Sequence, residues 1–376
     1  MRVVVAPDKF KGSVTAHEAA AELAAGIAEV RPDAVVEVLP VADGGEGTLH
    51  AALDAGFERH DLTVTGPAGG PVPAAWGRCG DEAVVEMSLA SGLAVLPIHD
   101  GRPVLAPRTA TSRGTGELVA AALDAGCTRV LLGVGGSATT DGGAGMLAAL
   151  GLRLLDVNGR DLPPGGAALA ELHHVDAAQL HPRIRDVEFV LAADVDNPLL
   201  GPHGAAMVFG PQKGASEQDV LDLDAALAVF RDRLADALGE PARQAADAPG
   251  AGAAGGVGYA GLAVLGARRR PGIDVVLDLV GLDAAVAGAD LLLTGEGSLD
   301  EQSLGGKTPL GVLHVGRRHG VPVVAVCGRT TLDAATLREA GFAAVHELRA
   351  LAADPETSMR EAPRLLREVG RRIASQ

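Results

Sequence analysis

Residues 2–15, RVVVAPDKFKGSVT, followed by AHEAAAEL at 16–23, are the stretch that decides the fold class. The β-branched run at 2–6 predicts a strand. Thr15 and Glu18 have the spacing of a capping box, which predicts a helix over 16–29, and an apolar run at 35–41 predicts a second strand. The order of strand, turn, helix and strand is typical of a parallel sheet.

The same alternation returns twice further along the chain. The sequence predicts a helix at 117–125, a strand at 129–134, a helix after Asp141, a strand at 290–294, a helix at 310–319, a strand at 321–326 and a last helix after Ser358. Repeated strand and helix units build a parallel sheet with helices on both faces. We therefore expect a Rossmann-like α/β domain made from residues 1–60, 108–150 and 270–376.

The remaining segments have a different texture and predict a second domain. Residues 61–87 contain short apolar runs separated by Gly and Pro, which indicates antiparallel strands. Apolar runs at 152–156, 187–193 and 205–209 predict three more strands, and an amphipathic helix should run from Ser216 to about residue 238. We expect residues 61–107 and 151–269 to form this inserted, mixed α/β domain.

The composition excludes some classes of partner. The 376 residues carry a formal net charge of −16, which argues against nucleic acid and anionic membranes, because binding a polyanion needs an extended basic surface. A phosphorylated small molecule stays compatible with this charge, since a pocket can bind phosphate through a few cations and backbone N–H groups. Of the 32 basic residues only those at 9, 11, 213 and 307 are lysines, and each lies in a Gly-rich segment.

Other features predict a cytoplasmic protein without disulfides or zinc. Asp8 and Lys9 interrupt the N-terminal stretch where a signal peptide would be apolar. Residues 250–267 are uncharged but rich in Gly, which predicts a loop running into a packed helix rather than a membrane span. Cys79, Cys127 and Cys327 form no CxxC pair, and the last two are expected to be buried. The oligomeric state cannot be read from these patterns.

Four polar, Gly-rich turns follow predicted strands. They are DKFKGS at 8–13, DGGEGT at 43–48, GGSATTDGG at 135–143 and GEGSLDE at 295–301. One Asp-Gly-Gly is most simply a tight turn, but the carboxyl ends of the strands are where ligands bind in open α/β sheets. Glycines let backbone N–H groups approach phosphate, and carboxylates can hold Mg²⁺ against the β- and γ-phosphates. The four turns together predict a site for the phosphates of a nucleotide, with Mg²⁺ bound to them.

Side chains in and beside these turns are the candidates for this nucleotide site. The predicted catalytic cations are Lys9 and Lys11. The predicted phosphate-binding residues are Ser13, Gly135, Gly136, Ser137, Thr139, Thr140 and Lys307. The predicted metal ligands are Asp43, Glu46, Glu296 and Asp300.

Phosphoryl transfer to a hydroxyl also needs a group that accepts the hydroxyl proton. Asp194, in AADVDNP, ends an apolar strand and is the predicted catalytic base. An Asx-turn before the proline is an equally simple interpretation of this carboxylate. The alternative bases are Asp43, Asp196 and Glu296.

The segment TSRGTG at 111–116 is the candidate for substrate binding. Ser112 and Arg113 are the residues concerned, because a guanidinium group can hold a small carboxylate with two hydrogen bonds. An exposed arginine at the start of a helix is the ordinary alternative.

Two other signatures nearly match. GVGGSA at 133–138 follows a strand and fits the dinucleotide-binding pattern G-x-G-x-x-A, with Asp156 as the ribose partner. A nicotinamide-dependent oxidoreductase is therefore the alternative to a phosphotransferase. Against it, the fingerprint should fall in the first βαβ unit of its domain. GGKT at 305–308 ends like a Walker A loop, but its first Gly would fall at Glu301, which does not support a P-loop.

Longer motifs resemble those of the bacterial, two-domain glycerate kinase family that includes the glycerate 2-kinases. They are APDKFKGSVTA, ADGGEGT, TSRGTGEL, GVGGSATTDGGAGM, DVDNPL, FGPQKGAS, PGAGAAGG and LLTGEGSLDEQSLGGKTP, in the family's order along nearly the whole chain. The resemblance implies a Rossmann-like domain with an inserted α/β domain, and ATP, Mg²⁺ and D-glycerate as ligands. It favours phosphorylation at the 2-hydroxyl over the 3-hydroxyl, which the residues themselves do not decide. A nucleotide-binding regulator without catalysis is the third hypothesis.

Overall fold

The computed structural model of the chain describes residues 1–301, 303 and 307–375. Its strands are β1 (Arg2–Pro7), β2 (Val35–Val38), β3 (Glu58–Thr65), β4 (Pro71–Cys79), β5 (Glu82–Glu86), β6 (Ile98–His99), β7 (Arg102–Pro103), β8 (Arg129–Gly133), β9 (Arg153–Leu155), β10 (His174–Asp176), β11 (Glu188–Ala192), β12 (Arg268–Arg270), β13 (Leu291–Leu299), β14 (Val323–Thr330) and β15 (Ala344–Glu347). Its helices are α1 (Ala16–Val30), α2 (Thr48–Asp54), α3 (Ser88–Ser91), α4 (Arg113–Asp124), α5 (Ala144–Ala149), α6 (Ala205–Phe209), α7 (Glu217–Leu238), α8 (Glu240–Gln244), α9 (Ala253–Ala263), α10 (Gly272–Leu279), α11 (Leu282–Val286), α12 (Thr308–His319), α13 (Ala334–Ala340), α14 (Pro355–Arg360) and α15 (Ala362–Ala374).

Two compact units divide the chain. The first unit contains Met1–Asp43, His50–Gly56 and the described residues from Ile273 onward, and the second contains Gly44–Leu49 and Phe57–Gly272. The expected α/β fold class is confirmed, with one fully parallel sheet and one mixed sheet.

The first unit is built on a parallel sheet with the strand order β15-β14-β13-β1-β2. The chain passes from β1 to β2 on one side, while β13, β14 and β15 follow each other on the other side. The order therefore reverses between β1 and β13, where Pro7 lies opposite Gly295. Such a switch point opens a crevice at the carboxyl ends of the two strands, which is the usual ligand site of open α/β sheets.

Helix α1 shows how the opening sequence specifies this unit. Thr15 accepts a hydrogen bond from the backbone of Glu18 and Glu18 reaches back to Thr15, so the predicted capping box is confirmed. The helix buries Leu23 and Ile27 in the core beside the sheet. At Gly26 a Cβ atom would lie 2.0 Å from the carbonyl oxygen of Arg367, so α1 and α15 pack with their backbones in close approach.

The second unit is built on a mixed sheet with the strand order β12-β11-β8-β5-β4-β3. The pairs from β12 to β5 are parallel, and β5, β4 and β3 pair antiparallel, which confirms the antiparallel strands predicted in 61–87. The parallel strands follow one another in chain order, so this sheet has no switch point. Two small antiparallel pairs, β6 with β7 and β9 with β10, complete the strands of this unit.

Two expectations from the sequence differ from the structure. Residues 205–209 were expected to form a strand, but they form helix α6. An apolar run of five residues is too short for its periodicity to distinguish a strand from a buried helix. Residues 108–150 were expected in the first domain, but β8 pairs with β5 and β11 in the sheet of the second unit. Strand partners are a long-range property that the local alternation of strands and helices does not encode.

The expectations for the cysteines and for residues 250–267 also have outcomes. Cys127 and Cys327 are buried as predicted, Cys79 is exposed, and all three are free thiols. Residues 253–263 form α9, whose start is kinked by left-handed backbone at Ala254 and at the two following glycines. Within the described part of the chain, no helix is both long and apolar enough to cross a membrane.

Candidate active site

Asp8 lies directly after β1, at the switch point of the first unit. Its carboxylate accepts hydrogen bonds from the backbone N–H of Lys9 at 2.6 Å and from the Thr308 hydroxyl at 2.9 Å, and only 8% of the residue is exposed. Burial and repulsion by Asp43 raise the pKa of Asp8 to about 6, against the opposing effects of Lys9 and Thr308. A buried carboxylate with a near-neutral pKa at a switch point is a functional-site candidate.

Glu296 occupies the neighbouring strand β13, one residue after the glycine that lies opposite Pro7. Burial raises the pKa of Glu296 to about 7, and the charges of Asp8 and Asp300 act in the same direction. Its Oε1 atom and the Thr294 hydroxyl on the same face of β13 are buried and have no hydrogen-bond partner among the described residues. An orphaned carboxylate oxygen indicates a place where a ligand or cation can complete the coordination.

The predicted metal ligands divide between the units. Asp43, Glu296 and Asp300 belong to the first unit, whereas Glu46 belongs to the second. The described residues contain no cluster of three or more His, Cys, Asp or Glu side chains arranged to hold a metal. In proteins Mg²⁺ is usually held by one or two carboxylates together with waters and phosphates. The open oxygen of Glu296 fits such a ligand.

The predicted cations of the nucleotide site all belong to the first unit. Lys9 is partly buried beside Asp8, and Lys11 is exposed. Ser13 donates a 2.5 Å hydrogen bond to the carbonyl oxygen of Met359. Lys307 is the N-cap of α12, and its positive charge opposes the rise in the pKa of Glu296. The near match to a Walker A loop cannot be compared, because Gly305 and Gly306 lie outside the described residues.

The loop that follows β8 carries all five of the predicted phosphate-binding residues that lie in the second unit. Asp141 organises it, since its buried carboxylate accepts hydrogen bonds from the backbone and hydroxyl of Ser112, both at 2.8 Å, and from the N–H groups of Gly143 at 3.1 Å and Gly145 at 3.2 Å. Burial raises the pKa of Asp141, and these donors oppose that rise. Because N–H groups can only donate, they favour the carboxylate form.

The side chains of Ser137, Thr139 and Thr140 in this loop are buried. The hydroxyls of Thr139 and Thr140 have no hydrogen-bond partner among the described residues, and Ser137 is only 7% exposed. Gly136 has a φ of +70°, which favours glycine. A Cβ atom on Gly135 would lie 2.6 Å from Cα of Gly45, so this glycine permits close packing of two turns.

The two predicted substrate-binding residues have different surroundings. The Ser112 hydroxyl donates to Asp141 and accepts from the backbone N–H of Met146, so it is occupied within the fold. Arg113 is 47% exposed and its guanidinium forms an ion pair with Glu117 at 3.1 Å. It lines a cleft of about 430 Å³ in the second unit, which also contains Thr65 and Gly145.

Asp194 comes two residues after β11 and is exposed. Its Oδ1 atom accepts a 2.7 Å hydrogen bond from the backbone N–H of Gly272. Asp196, an alternative base, is 79% exposed and pairs with Arg269 at 2.7 Å. Both carboxylates lie just beyond the carboxyl end of β11. Their hydrogen bond and ion pair are also compatible with a purely structural role in the turn.

Sequence reasoning missed four charged residues that are buried and hydrogen-bonded. Glu86, at the end of β5, accepts hydrogen bonds from the Ser88 hydroxyl at 2.5 Å and from the backbone N–H groups of Gly47 at 3.2 Å and Leu49 at 3.0 Å, which holds the predicted DGGEGT turn. The other three are Asp8, Asp141 and Lys213. These three residues lie within motifs quoted in the sequence analysis, but no role was predicted for them. The rarity of lysine in the chain could have drawn attention to Lys213.

Comparisons with known proteins identify the family of the chain. The model of the glycerate kinase family matches residues 3–376. A glycerate kinase from Bacillus subtilis (strain 168) is 45% identical over 100% of this chain and 97% of its own length, and a glycerate 2-kinase from Escherichia coli (strain K12) is 44% identical over 92% of this chain and 90% of its own. A candidate glycerate kinase 2 from Salmonella typhimurium LT2, solved by crystallography, has a TM-score of 0.87 at 40% identity and covers 100% of this chain and 97% of that chain. The chain belongs to the glycerate kinase family.

Proposed function

We propose that the chain is an ATP-dependent glycerate kinase, a transferase that moves the γ-phosphoryl group of ATP to a hydroxyl of D-glycerate. The observation that carries this proposal is the family match over residues 3–376. The name of the Escherichia coli relative, a glycerate 2-kinase, favours the 2-hydroxyl and 2-phosphoglycerate as the product. The expected partners are small molecules in the cytoplasm.

The first unit supplies groups suited to nucleotide phosphates. Lys9 and Lys11 would neutralise charge on the phosphates, with Ser13 and Lys307 as further ligands. When bound, Mg²⁺ would neutralise the charge that develops on the β- and γ-phosphates, and Glu296 is the best supported of its predicted ligands, since its Oε1 atom has no other partner among the described residues. Asp43, Glu46 and Asp300 remain proposed ligands.

The second unit supplies the other proposed groups. The loop with Gly135, Gly136, Ser137, Thr139 and Thr140 is proposed to contact phosphate through its backbone N–H groups and hydroxyls. The hydroxyls of Thr139 and Thr140 support this proposal, because neither has a hydrogen-bond partner among the described residues.

Substrate binding and proton transfer are assigned to the remaining residues. Arg113, which lines the cleft, is proposed to bind the glycerate carboxylate, while Ser112 would act by orienting the loop through Asp141. Asp194 is proposed to accept the proton of the attacking hydroxyl. Its exposure at a strand end supports access to a small substrate.

One assay tests the reaction directly. The full-length chain is incubated with ATP, Mg²⁺ and D-glycerate, and ADP release is measured beside a reaction that lacks glycerate. We expect release only with D-glycerate, and phosphorus NMR should show 2-phosphoglycerate. ATP with Mg²⁺ should also raise the Tm by ligand linkage, whereas NADH should not. Glycerate-independent release, or a Tm shift with NADH alone, contradicts the proposal, and a 3-phosphoglycerate signal contradicts the position.

A further inference from the structure

Lys213 is a buried cation in the second unit. It ends a short turn at Pro211–Lys213 and is only 1% exposed. Its ammonium group donates a hydrogen bond to the backbone carbonyl oxygen of Thr139, in the middle of the loop that follows β8. The other three lysines of the chain lie in the first unit. A charged group without water is costly unless other charges and hydrogen bonds compensate it.

Asp141 supplies the compensating charge. The carboxylate is itself 0% exposed, and its charge opposes the lowering of the Lys213 pKa, to about 7, that burial causes. Its own hydrogen bonds come from Ser112, Gly143 and Gly145. The cation therefore holds the loop at Thr139, and the anion holds the same loop two residues later.

The packing leaves this loop little room to move. The backbone N–H of Gly142 donates to the carbonyl oxygen of Gly255 at 2.9 Å. A Cβ atom on Gly255 would lie 1.9 Å from the carbonyl oxygen of Thr139, and one on Gly143 would lie 2.4 Å from Cβ of Ala260. Small changes in the position of the Thr139 carbonyl would therefore shift the hydroxyls of Thr139 and Thr140, which are unpartnered.

We propose that two buried side chains of opposite charge, Lys213 and Asp141, together position the 135–143 loop for phosphoryl transfer. Lys213 acts through the Thr139 carbonyl, and Asp141 acts through the N–H groups of Gly143 and Gly145. They are positioning residues, since neither needs to contact the substrate, and the inference rests on the proposed function for its catalytic readout. Stability alone does not explain such a pair. Replacing a buried ion pair by apolar residues often leaves the stability of the protein unchanged or raises it. Removing one partner is destabilising, because the other charge stays buried without compensation. A pair of this kind is best explained by the geometry that it imposes on the loop.

A double-mutant cycle tests the pair. The variants are Lys213→Met, Asp141→Asn and the two together, each studied as the full-length chain by thermal unfolding and by kcat/KM for ATP well below the Tm. Each single change should lower kcat/KM about 10²-fold, and the double variant should lose about as much as one single variant, because coupled residues are not additive. Its Tm should be higher than the sum of the two single losses predicts.

The matched control is Arg160→Met, which removes a cation that is 75% exposed and paired with Asp156. We expect the Tm and kcat/KM of this variant to stay close to those of the wild type. If Lys213→Met does not fold, Lys213→Gln replaces it in the cycle, because the amide still donates to the Thr139 carbonyl while the charge is absent.

Two results would overturn the inference. Additive losses of Tm would show that the two side chains are not coupled. A lowered Tm with unchanged kcat/KM would show a purely structural pair. The Tm cycle needs no substrate, so its outcome is independent of the proposed function. The proposed function fails separately, if the wild-type chain releases no ADP in response to D-glycerate.

Discussion

Buried carboxylates have different surroundings in the two units of the molecule. In the first unit, Asp8 and Glu296 lie near other acidic groups, and one oxygen of Glu296 has no partner among the described residues. In the second unit, Asp141 and Glu86 accept several hydrogen bonds from backbone N–H groups and serine hydroxyls. A carboxylate whose oxygens are occupied fixes the backbone around it, whereas one with an open oxygen can take a ligand. Glu296 is therefore suited to binding a ligand, whereas Asp141 and Glu86 fix the backbone around them. Asp8 shares the raised pKa of Glu296, but both of its oxygens accept hydrogen bonds, from Lys9 and from Thr308.

The sheets explain this difference. The switch point of the first unit places Asp8, directly after β1, beside strand β13, which carries Glu296. The second sheet has no switch point, and buried carboxylates hold two of the loops of its unit. Asp141 and Glu86 do this for the 135–143 loop and for the turn at 44–49.

Substitution of Asp194 has the largest expected effect. Asp194 belongs to the second unit, but unlike Asp141 and Glu86 it is exposed, and its proposed role is catalytic. Asp194→Asn keeps the size of the side chain but cannot take a proton, so kcat should fall about 10²-fold or more while ATP affinity barely changes. Steady-state kinetics and a Tm measurement check this, and Asp196→Asn tests the neighbouring alternative base in the same assays.

A surviving kcat in Asp194→Asn would identify this residue as a turn residue that serves Gly272. The base would then be sought among Asp43, Asp196 and Glu296. Glu296 would be tested first, because its pKa of about 7 is near the pH at which a general base works well. That result would move the proton acceptor from the second unit to the first.

Lys11 tests whether the first unit binds the nucleotide phosphates. Lys11→Ala should lower kcat/KM for ATP by about 10²-fold, because a cation placed against transferring phosphates stabilises the transition state by several kcal/mol. The Tm should not change, since the side chain is exposed. Wild-type kinetics in this variant would show that Lys11 is an ordinary surface residue.

Arg113 tests whether the second unit binds the acceptor. Arg113→Ala should raise KM for D-glycerate about tenfold and spare ATP affinity, because one charge-assisted contact is lost from the ground state and the transition state alike. The ion pair with Glu117 limits the effect, since the guanidinium must give up part of that contact to bind a substrate. Arg160→Ala, at an exposed site, is the control, and an equal KM change in both variants would remove Arg113 from the substrate site.

Much of the fold could be predicted from local patterns. The cap at Thr15 predicted α1, and Ser216 with Asp219 forms the cap of the predicted long helix α7. Pairing partners could not be predicted in this way. The strand at 129–134 has the same local pattern as those of the first unit, and only its contacts with β5 and β11 assign it to the second.

The candidate site shows the same limit. The sequence predicted polar turns after strands, because glycines and carboxylates are visible without a structure. For the fourth of them the prediction was wrong in part, since residues 295–299 continue strand β13. It could not separate Asp8, which is buried beside Asp43, from an ordinary turn residue, or show that the Ser112 hydroxyl is occupied by Asp141. Burial and hydrogen-bond partners depend on residues far away in the chain. The metal, phosphate and catalytic roles stay predictions until the kinetics are measured.

The smallest expected effect concerns stability and tests the open carboxylate of Glu296. Burial raises its pKa from an ordinary 4.5 to about 7, with Asp8 and Asp300 contributing. Below pH 4.5 the group is protonated in the folded and unfolded states. Between about pH 4.5 and 7 only the folded state keeps the proton, so this stabilising contribution is lost as the pH rises, and it is absent above pH 7.

Glu296→Gln mimics the protonated acid at every pH. In metal-free buffer its Tm should therefore exceed that of the wild type by roughly 2–4 °C at pH 8, and the two should converge near pH 4.5. Glu301→Gln, at an exposed neighbour, is the control and should show no such pH-dependent gap. Adding Mg²⁺ with ATP should then raise the Tm of the wild type more than that of Glu296→Gln, because the open oxygen is a ligand only when it is charged. A variant that is less stable than the wild type at pH 8 without metal would mean that the Glu296 carboxylate is satisfied in the folded chain, and the contrast between the two units would no longer hold.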